Sequence, residues 1–165
     1  PDVDAIYRLI NKKININFKK NYKISLGNSI STFNSQNTIW FKAIFPLLYL
    51  PVTCTMRCTD ILRSLIVVRI LKNDKKKILF FGTTMHQNRN YHNLFEDLEQ
   101  ESEMYLNYKN IFNLLNKLKL DKGSKKYFKN LMIIYKFLIK KGFIAAEELK
   151  YLNAWIKDCN FLLKI

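Results

Sequence analysis

The run 60-DILRSLIVVRIL-71 constrains this chain more than any other stretch. Ile61, Leu62, Leu65, Ile66, Val68 and Leu71 recur at helical spacing, and Thr59 or Asp60 can cap the first turn. The spacing predicts a helix from Asp60 to Leu71 with an apolar face that other segments must cover. Around it the chain divides in two by pattern. Residues 1–100 mix strand-like and helix-like stretches, whereas residues 101–165 carry three helical periods at about 103–120, 125–141 and 145–163.

Within the first part, Asp4 to Ile10 suits a short strand or a helix start. Lys12 to Lys20 alternates Ile14, Ile16 and Phe18 with Asn or Lys and reads as an edge strand. Residues 27-GNSISTFNSQNT-38 form a polar turn region. Trp40 to Leu50 reads as a short helix ending before Pro51, Pro51 to Thr55 as a short buried strand, and Ile78 to Phe81 as a buried strand after a turn at Asn73 to Lys77. In the second part, Leu131, Ile134, Tyr135, Leu138 and Ile139 form one apolar stripe. Leu149, Leu152, Trp155, Ile156 and Leu163 form another, and Ser124 and Gly142 suit helix ends.

Apolar residues make up 48% of the 165, enough for a packed core and too many for a disordered tail. The chain opens on Pro1 without an initiator Met, which reads as a piece of a longer protein. No apolar run reaches the roughly 20 residues of a membrane span. The formal charge of +15 is spread evenly, with 15 basic and 7 acidic residues before position 101 and 13 and 6 from there on. A lysine-rich surface accounts for this, and attraction to anionic partners is the sharper alternative. Three cysteines, Cys54, Cys58 and Cys159, make an odd count and point to a reducing compartment. The Cys54–Cys58 spacing occurs in some zinc sites, but no second Cys/His pair stands at a matching distance.

Four stretches carry residues suited to chemistry. Asp2 and Asp4 in 1-PDVDAIYRL-9 form a D-x-D pair, which can hold a divalent metal or can simply cap a turn, and Arg8 follows them. Asn34, Ser35, Gln36 and Asn37 are consecutive donor and acceptor side chains that suit sugar hydroxyls, or a solvated turn. Asp60 opens a helix, where a carboxylate is a cap or an oriented general base. Arg57 and Arg63 flank it and suit phosphate. Finally 84-TMHQNRNYHNLFEDLEQE-101 holds the two histidines, His86 and His92, beside Arg89. An imidazole there can ligate a metal or be an ordinary polar loop residue.

Taken in order, PDVDAIYRL, FNSQNT, FPLLYLPVTCTMRCTDILRS and QNRNYHNLFEDLE resemble the STELLO-type glycosyltransferases, from Pro1 to about Glu101. More distantly, the layout is similar to that of the reversibly glycosylated polypeptides. The resemblance implies an α/β fold: a partial GT-A-like (nucleotide-diphospho-sugar transferase) domain over residues 1–101, the acceptor-side half, followed by a helical extension over 102–165. It implies transfer of a sugar from a nucleotide-sugar donor to a glycan or polysaccharide acceptor, assisted by a divalent metal (Mn or Mg) whose main ligands precede residue 1. On that reading Asp60 is the acceptor-side base and His92 meets the metal. Arg57, Arg63 and Arg89 hold phosphate, and Asp2, Asp4, Arg8, Asn34, Ser35, Gln36 and Asn37 line the substrate pocket.

The piece taken alone is expected to be inactive. No nucleic acid is expected as a partner, and peripheral membrane association is. The compartment would be the cytoplasm in a bacterium, or the Golgi membrane in a eukaryote with an anchor upstream. The competing readings are a basic nucleic-acid-binding module and a catalytically inactive remnant.

Overall fold

The computed structural model describes residues 3–11, 23–25, 31–85, 88 and 90–163. Five α-helices appear among them: α1 (Ala5–Ile10), α2 (Thr59–Asn73), α3 (Leu94–Asn116), α4 (Tyr127–Lys140) and α5 (Glu148–Leu163). Two strands, β1 (Lys23–Ser25) and β2 (Leu79–Phe81), pair antiparallel with Ile24 opposite Phe80. The described residues are therefore mostly helical, with one small two-stranded sheet. Helices and strands coexist as expected, but the strands are short and β2 is not buried, since Leu79 and Phe81 are 55% and 45% exposed. The edge strand expected at Lys12 to Lys20 lies outside the described residues. No helix among those described is long and apolar enough to cross a membrane.

The core forms around α2. The expected helix is present, but it is buried on all sides rather than along one face. Every residue from Leu62 to Leu71 is inside, including Arg63, Ser64 and Arg69. Ile111, Phe112 and Leu115 of α3 and Leu131, Ile134, Tyr135 and Leu138 of α4 join α2 in one cluster, to which α5, packed on α4, adds Leu152. Three of the α5 stripe residues, Leu149, Trp155 and Ile156, pack against this cluster from its edge.

A buried arginine on such a helix must spend its donors on protein acceptors. Arg69 donates from Nε to the Leu115 carbonyl at 2.9 Å and from Nη2 to the Leu118 carbonyl at 2.7 Å. These are carbonyls at and just beyond the last turn of α3, which lacks intrahelical partners. Burial pushes the Arg69 guanidinium below its usual pKa, yet so strong a base stays charged. Arg69→Met should remove about 3 kcal/mol of stability, two hydrogen bonds from a charged donor. A urea titration monitored by circular dichroism reads this directly.

Local signals explain most helix ends. α3 begins nine residues earlier than the periodicity suggests. Asn93 caps it by accepting from the Phe95 amide at 3.2 Å and donating to Glu96 at 2.8 Å. α4 stops at Gly142, whose φ of 74° only glycine adopts freely. There the Phe143 amide donates back to the Leu138 carbonyl at 3.0 Å. Ser124 opens a single 3-10 turn (Ser124–Lys126) ahead of α4 and caps nothing with its side chain.

The short helix expected within Trp40 to Leu50 is present, as a 3-10 helix (Lys42–Leu48). Pro46 inside it has no amide hydrogen for an α-helical bond. Pro51 to Thr55 is not a strand. The Val52 and Thr53 amides, which a strand would give to a neighbour, donate instead to the Glu148 carboxylate at the start of α5, at 3.1 and 2.8 Å.

Candidate functional site

Two groups of polar side chains meet at the N-terminal end of α2. The first gathers residues of the 33–38 turn onto the helix. Asp60, in the first turn, accepts from the Ser35 amide on Oδ2 at 2.8 Å. Arg63, one turn on, donates from Nη2 to the Ser35 hydroxyl at 3.0 Å and lies 4.9 Å from the centre of the Trp40 ring. Ser64 accepts from the Phe33 amide at 3.2 Å. No hydrogen bond to Asp60 Oδ1 is made among the described residues. Arg63 is only 4% exposed, and its Nε is buried without a hydrogen-bond partner among the described residues. Burial lowers its pKa, and the Asp60 charge opposes that. A guanidinium held by an indole and a serine hydroxyl fixes the turn against α2.

The rest of the turn is more open. Ser35, Gln36 and Asn37 are exposed, and Asn34 accepts from the Gln36 amide at 3.2 Å. Asn37 takes a left-handed φ of 48° and exchanges hydrogen bonds with Thr84 at 3.0 and 3.2 Å. That contact ties the turn to the segment leading from β2 toward His92.

The second group forms where Arg57 approaches α3. Arg57 pairs with Asp97 through Nη2 and with Glu101 through Nη1, the latter at 3.3 Å. Its Nη2 also lies 2.9 Å from His92 Nδ1, and His92 Nδ1 is 3.6 Å from Asp97. Glu101 in turn accepts from the Ala5 amide at 3.1 Å and the Tyr105 hydroxyl at 2.7 Å. These bonds join α1 to α3, and burial together with Glu101 raises the Tyr105 pKa. Two carboxylates thus neutralise Arg57, and phosphate would have to displace one of them.

Residue type alone does not single out Asp97 and Glu101 in the sequence. Asp97, Glu101 and Tyr105 recur every four residues, which places them on one helical face, and that spacing is the available signal. No bond from Asp60 or Arg63 reaches His92, Asp97 or Glu101 among the described residues.

The remaining candidates sit apart. Asp4 caps α1 by accepting from the Tyr7 amide at 2.7 Å, the structural role that a D-x-D near a helix start also allows. Arg8 donates from Nε to the Val3 carbonyl at 2.9 Å. Asp2, Arg89 and His86 lie outside the described residues. No group of three His, Cys, Asp or Glu among the described residues could hold a metal ion.

Cys54 and Cys58 line a cavity of about 20 Å³ with Leu62, Met104 and Phe143, too small for a nucleotide. Burial pushes the Cys54 thiol up to about 12 and raises Cys58 and Cys159 as well. Thiolate is the reactive form, so all three should resist a thiol reagent at neutral pH in the folded protein and react once it is unfolded. Counting modified cysteines by mass spectrometry checks this, and rapid labelling of Cys54 in the folded protein would contradict it.

Comparison with known proteins gives this site a context. The chain is similar to the probable glycosyltransferase STELLO1 of Arabidopsis thaliana, 24% identical over 169 residues that take in 96% of this chain. The similarity therefore runs well past residue 101, into the helical part. The chain spans about a fifth of that protein's length (21%). No family model matches the chain, and no solved structure does. The relationship is a distant one to a probable glycosyltransferase.

Proposed function

We propose that this chain is part of a glycosyltransferase, contributing acceptor-side residues of a GT-A-like domain that transfers a sugar from a nucleotide-sugar donor to a glycan or polysaccharide. The similarity to STELLO1 over 96% of the chain carries the proposal. The arrangement at the start of α2 gives it a chemical content. Asp60 is fixed by Ser35 on one oxygen, with no described hydrogen bond on the other, which suits a base that takes the proton of an attacking acceptor hydroxyl. As the hydroxyl oxygen bonds to the anomeric carbon, its proton passes to Asp60 and the nucleoside diphosphate leaves with the bonding pair. Arg63 and Trp40 hold the turn that carries Ser35, and so orient Asp60 without touching substrate. The exposed Gln36 and Asn37 side chains sit beside this base and suit sugar hydroxyls.

The resemblance also implies a divalent metal. No group of three ligands stands among the described residues and the carboxylates near His92 are already engaged, so such a metal would take its main ligands from outside them.

The proposal is tested by binding. Isothermal titration of the natural protein with a panel of nucleotide sugars should find one that binds, with the matching nucleoside diphosphate competing for the same site. Failure of every nucleotide sugar to bind would overturn it.

A further inference from the structure

We infer that His92 acts as a hydrogen-bond donor through Nε2–H, set in that tautomer by Arg57, and that it fits a neutral hydroxyl oxygen rather than a divalent metal or a phosphoryl oxygen.

The inference starts from which atoms can donate. A guanidinium has five N–H donors and no acceptor. Arg57 Nη2 lies 2.9 Å from His92 Nδ1, so Nδ1 must be the acceptor. The same Nη2 forms an ion pair with Asp97. A neutral imidazole has one protonated nitrogen, so with Nδ1 accepting, the proton sits on Nε2. A metal bound at Nε2 needs a lone pair there and a hydrogen on Nδ1. That hydrogen would point at the Arg57 guanidinium. Histidines that ligate metals usually donate their second N–H to a carboxylate or carbonyl, and here a cation occupies that place. Asp97 Oδ2, at 3.6 Å from Nδ1, is too far to be the alternative partner.

The surrounding charge selects the ligand. Among the described residues Arg57 carries one positive charge against the two carboxylates Asp97 and Glu101, so the described frame around a neutral His92 is net negative. Such a frame disfavours phosphate and tolerates a hydroxyl. The side chain is 36% exposed. Tyr91 (97% exposed) and Phe95 (74% exposed) flank it in the chain and offer apolar ring faces of the kind that cover a sugar ring.

This assigns His92 to the acceptor within the function proposed above, and it rests on that reading only for the identity of the ligand. The tautomer itself can be measured without any turnover. Nitrogen-15 NMR of the imidazole rings separates protonated from unprotonated nitrogens, and His86 is the one other histidine in the chain. The signals that vanish in His92→Gln identify the residue. The expected spectrum has Nδ1 unprotonated and Nε2 protonated, unaffected by Mn²⁺ or by inorganic pyrophosphate. An Nδ1–H tautomer, selective broadening of the His92 ring by Mn²⁺, or a shift on adding pyrophosphate would each overturn the inference.

Arg57→Ala should release the constraint and mix the two tautomers. If that variant does not fold, the wild-type spectrum still decides. In the natural protein His92→Ala should raise the KM for the acceptor roughly fivefold, one neutral hydrogen bond, with the KM for the donor unchanged and His92→Gln restoring most of the loss. A rise in donor KM alone would contradict the assignment. If the protein has no transfer activity at all, the proposed function fails while the tautomer result stands.

Discussion

Glu148→Ala is expected to remove on the order of 4 kcal/mol of folding stability, more than the loss of Arg69 from the core. Glu148 is fully buried, 0% exposed, and no cation pairs with it among the described residues. Its carboxylate accepts from the Val52 amide on both oxygens at 3.1 Å, and from the Thr53 amide at 2.8 Å and the Thr53 hydroxyl at 2.6 Å. The Tyr49 hydroxyl also donates to it, in a short bond. Alanine would leave these four donors facing a void, at about 1–3 kcal/mol each before water or rearrangement recovers part of the loss. Set against a typical net stability of about 5–15 kcal/mol, that brings the fold close to failure.

The damage would spread because of what Glu148 joins. Tyr49 packs edge-on against Tyr135 of α4 at 5.3 Å, and Thr53 accepts from the Ala145 amide at 3.2 Å. Burial and the neighbouring Glu148 raise the Tyr49 pKa well above its usual value, so its hydroxyl remains a donor at any ordinary pH. Glu148→Gln should cost less than alanine but still be unfavourable, since its amide nitrogen would face arriving N–H groups. Thr53→Val, losing only the hydroxyl, should cost about 1–2 kcal/mol. Urea titrations of the three variants should order them Ala, Gln, Val by decreasing loss. An alanine variant within about 1 kcal/mol of wild type would show that the carboxylate is not the anchor described.

The second large effect concerns chemistry. Asp60→Asn in the natural protein should lower kcat for sugar transfer by about 10²–10⁴-fold, the usual contribution of a general base. The substitution separates chemistry from folding. Asparagine keeps a carbonyl oxygen to accept from the Ser35 amide, so the 33–38 turn should stay docked and stability should change by less than about 1 kcal/mol. Binding of the nucleotide sugar should be unaffected, because Asp60 acts on the acceptor. Unchanged turnover would remove Asp60 from the mechanism. A large loss of stability alongside the loss of rate would mean that the carboxylate serves the fold.

What is legible in the sequence follows from which interactions are local. α2 and α4 are readable because periodic apolar residues and Gly142 announce themselves within a few positions. The start of α3 is announced as well, by Asn93 and Glu96, but periodicity alone places it later. The Pro51–Thr55 segment is not readable, because its amides are satisfied by Glu148, more than ninety positions away. Nor does any pattern along the chain show that α2 is buried on every side, with Arg63 and Arg69 inside.

The candidate site divides in the same way. The residue types at Ser35, Asp60, Arg57 and His92 stand out, and the structure groups them in two pairs. What each pair does depends on long-range partners: Trp40 beneath Arg63, and Asp97 and Glu101 around Arg57. Those partners tie Arg57 and Arg63 into the frame of the fold.

The most direct test is turnover. Natural protein is incubated with the nucleotide sugar found by titration and a mixture of candidate glycan acceptors, and release of nucleoside diphosphate is followed. Acceptor-dependent release with the sugar recovered on a glycan is the predicted result. Tight binding of a nucleotide sugar with no transfer to any acceptor would contradict the enzyme reading and leave a protein that binds the donor without using it.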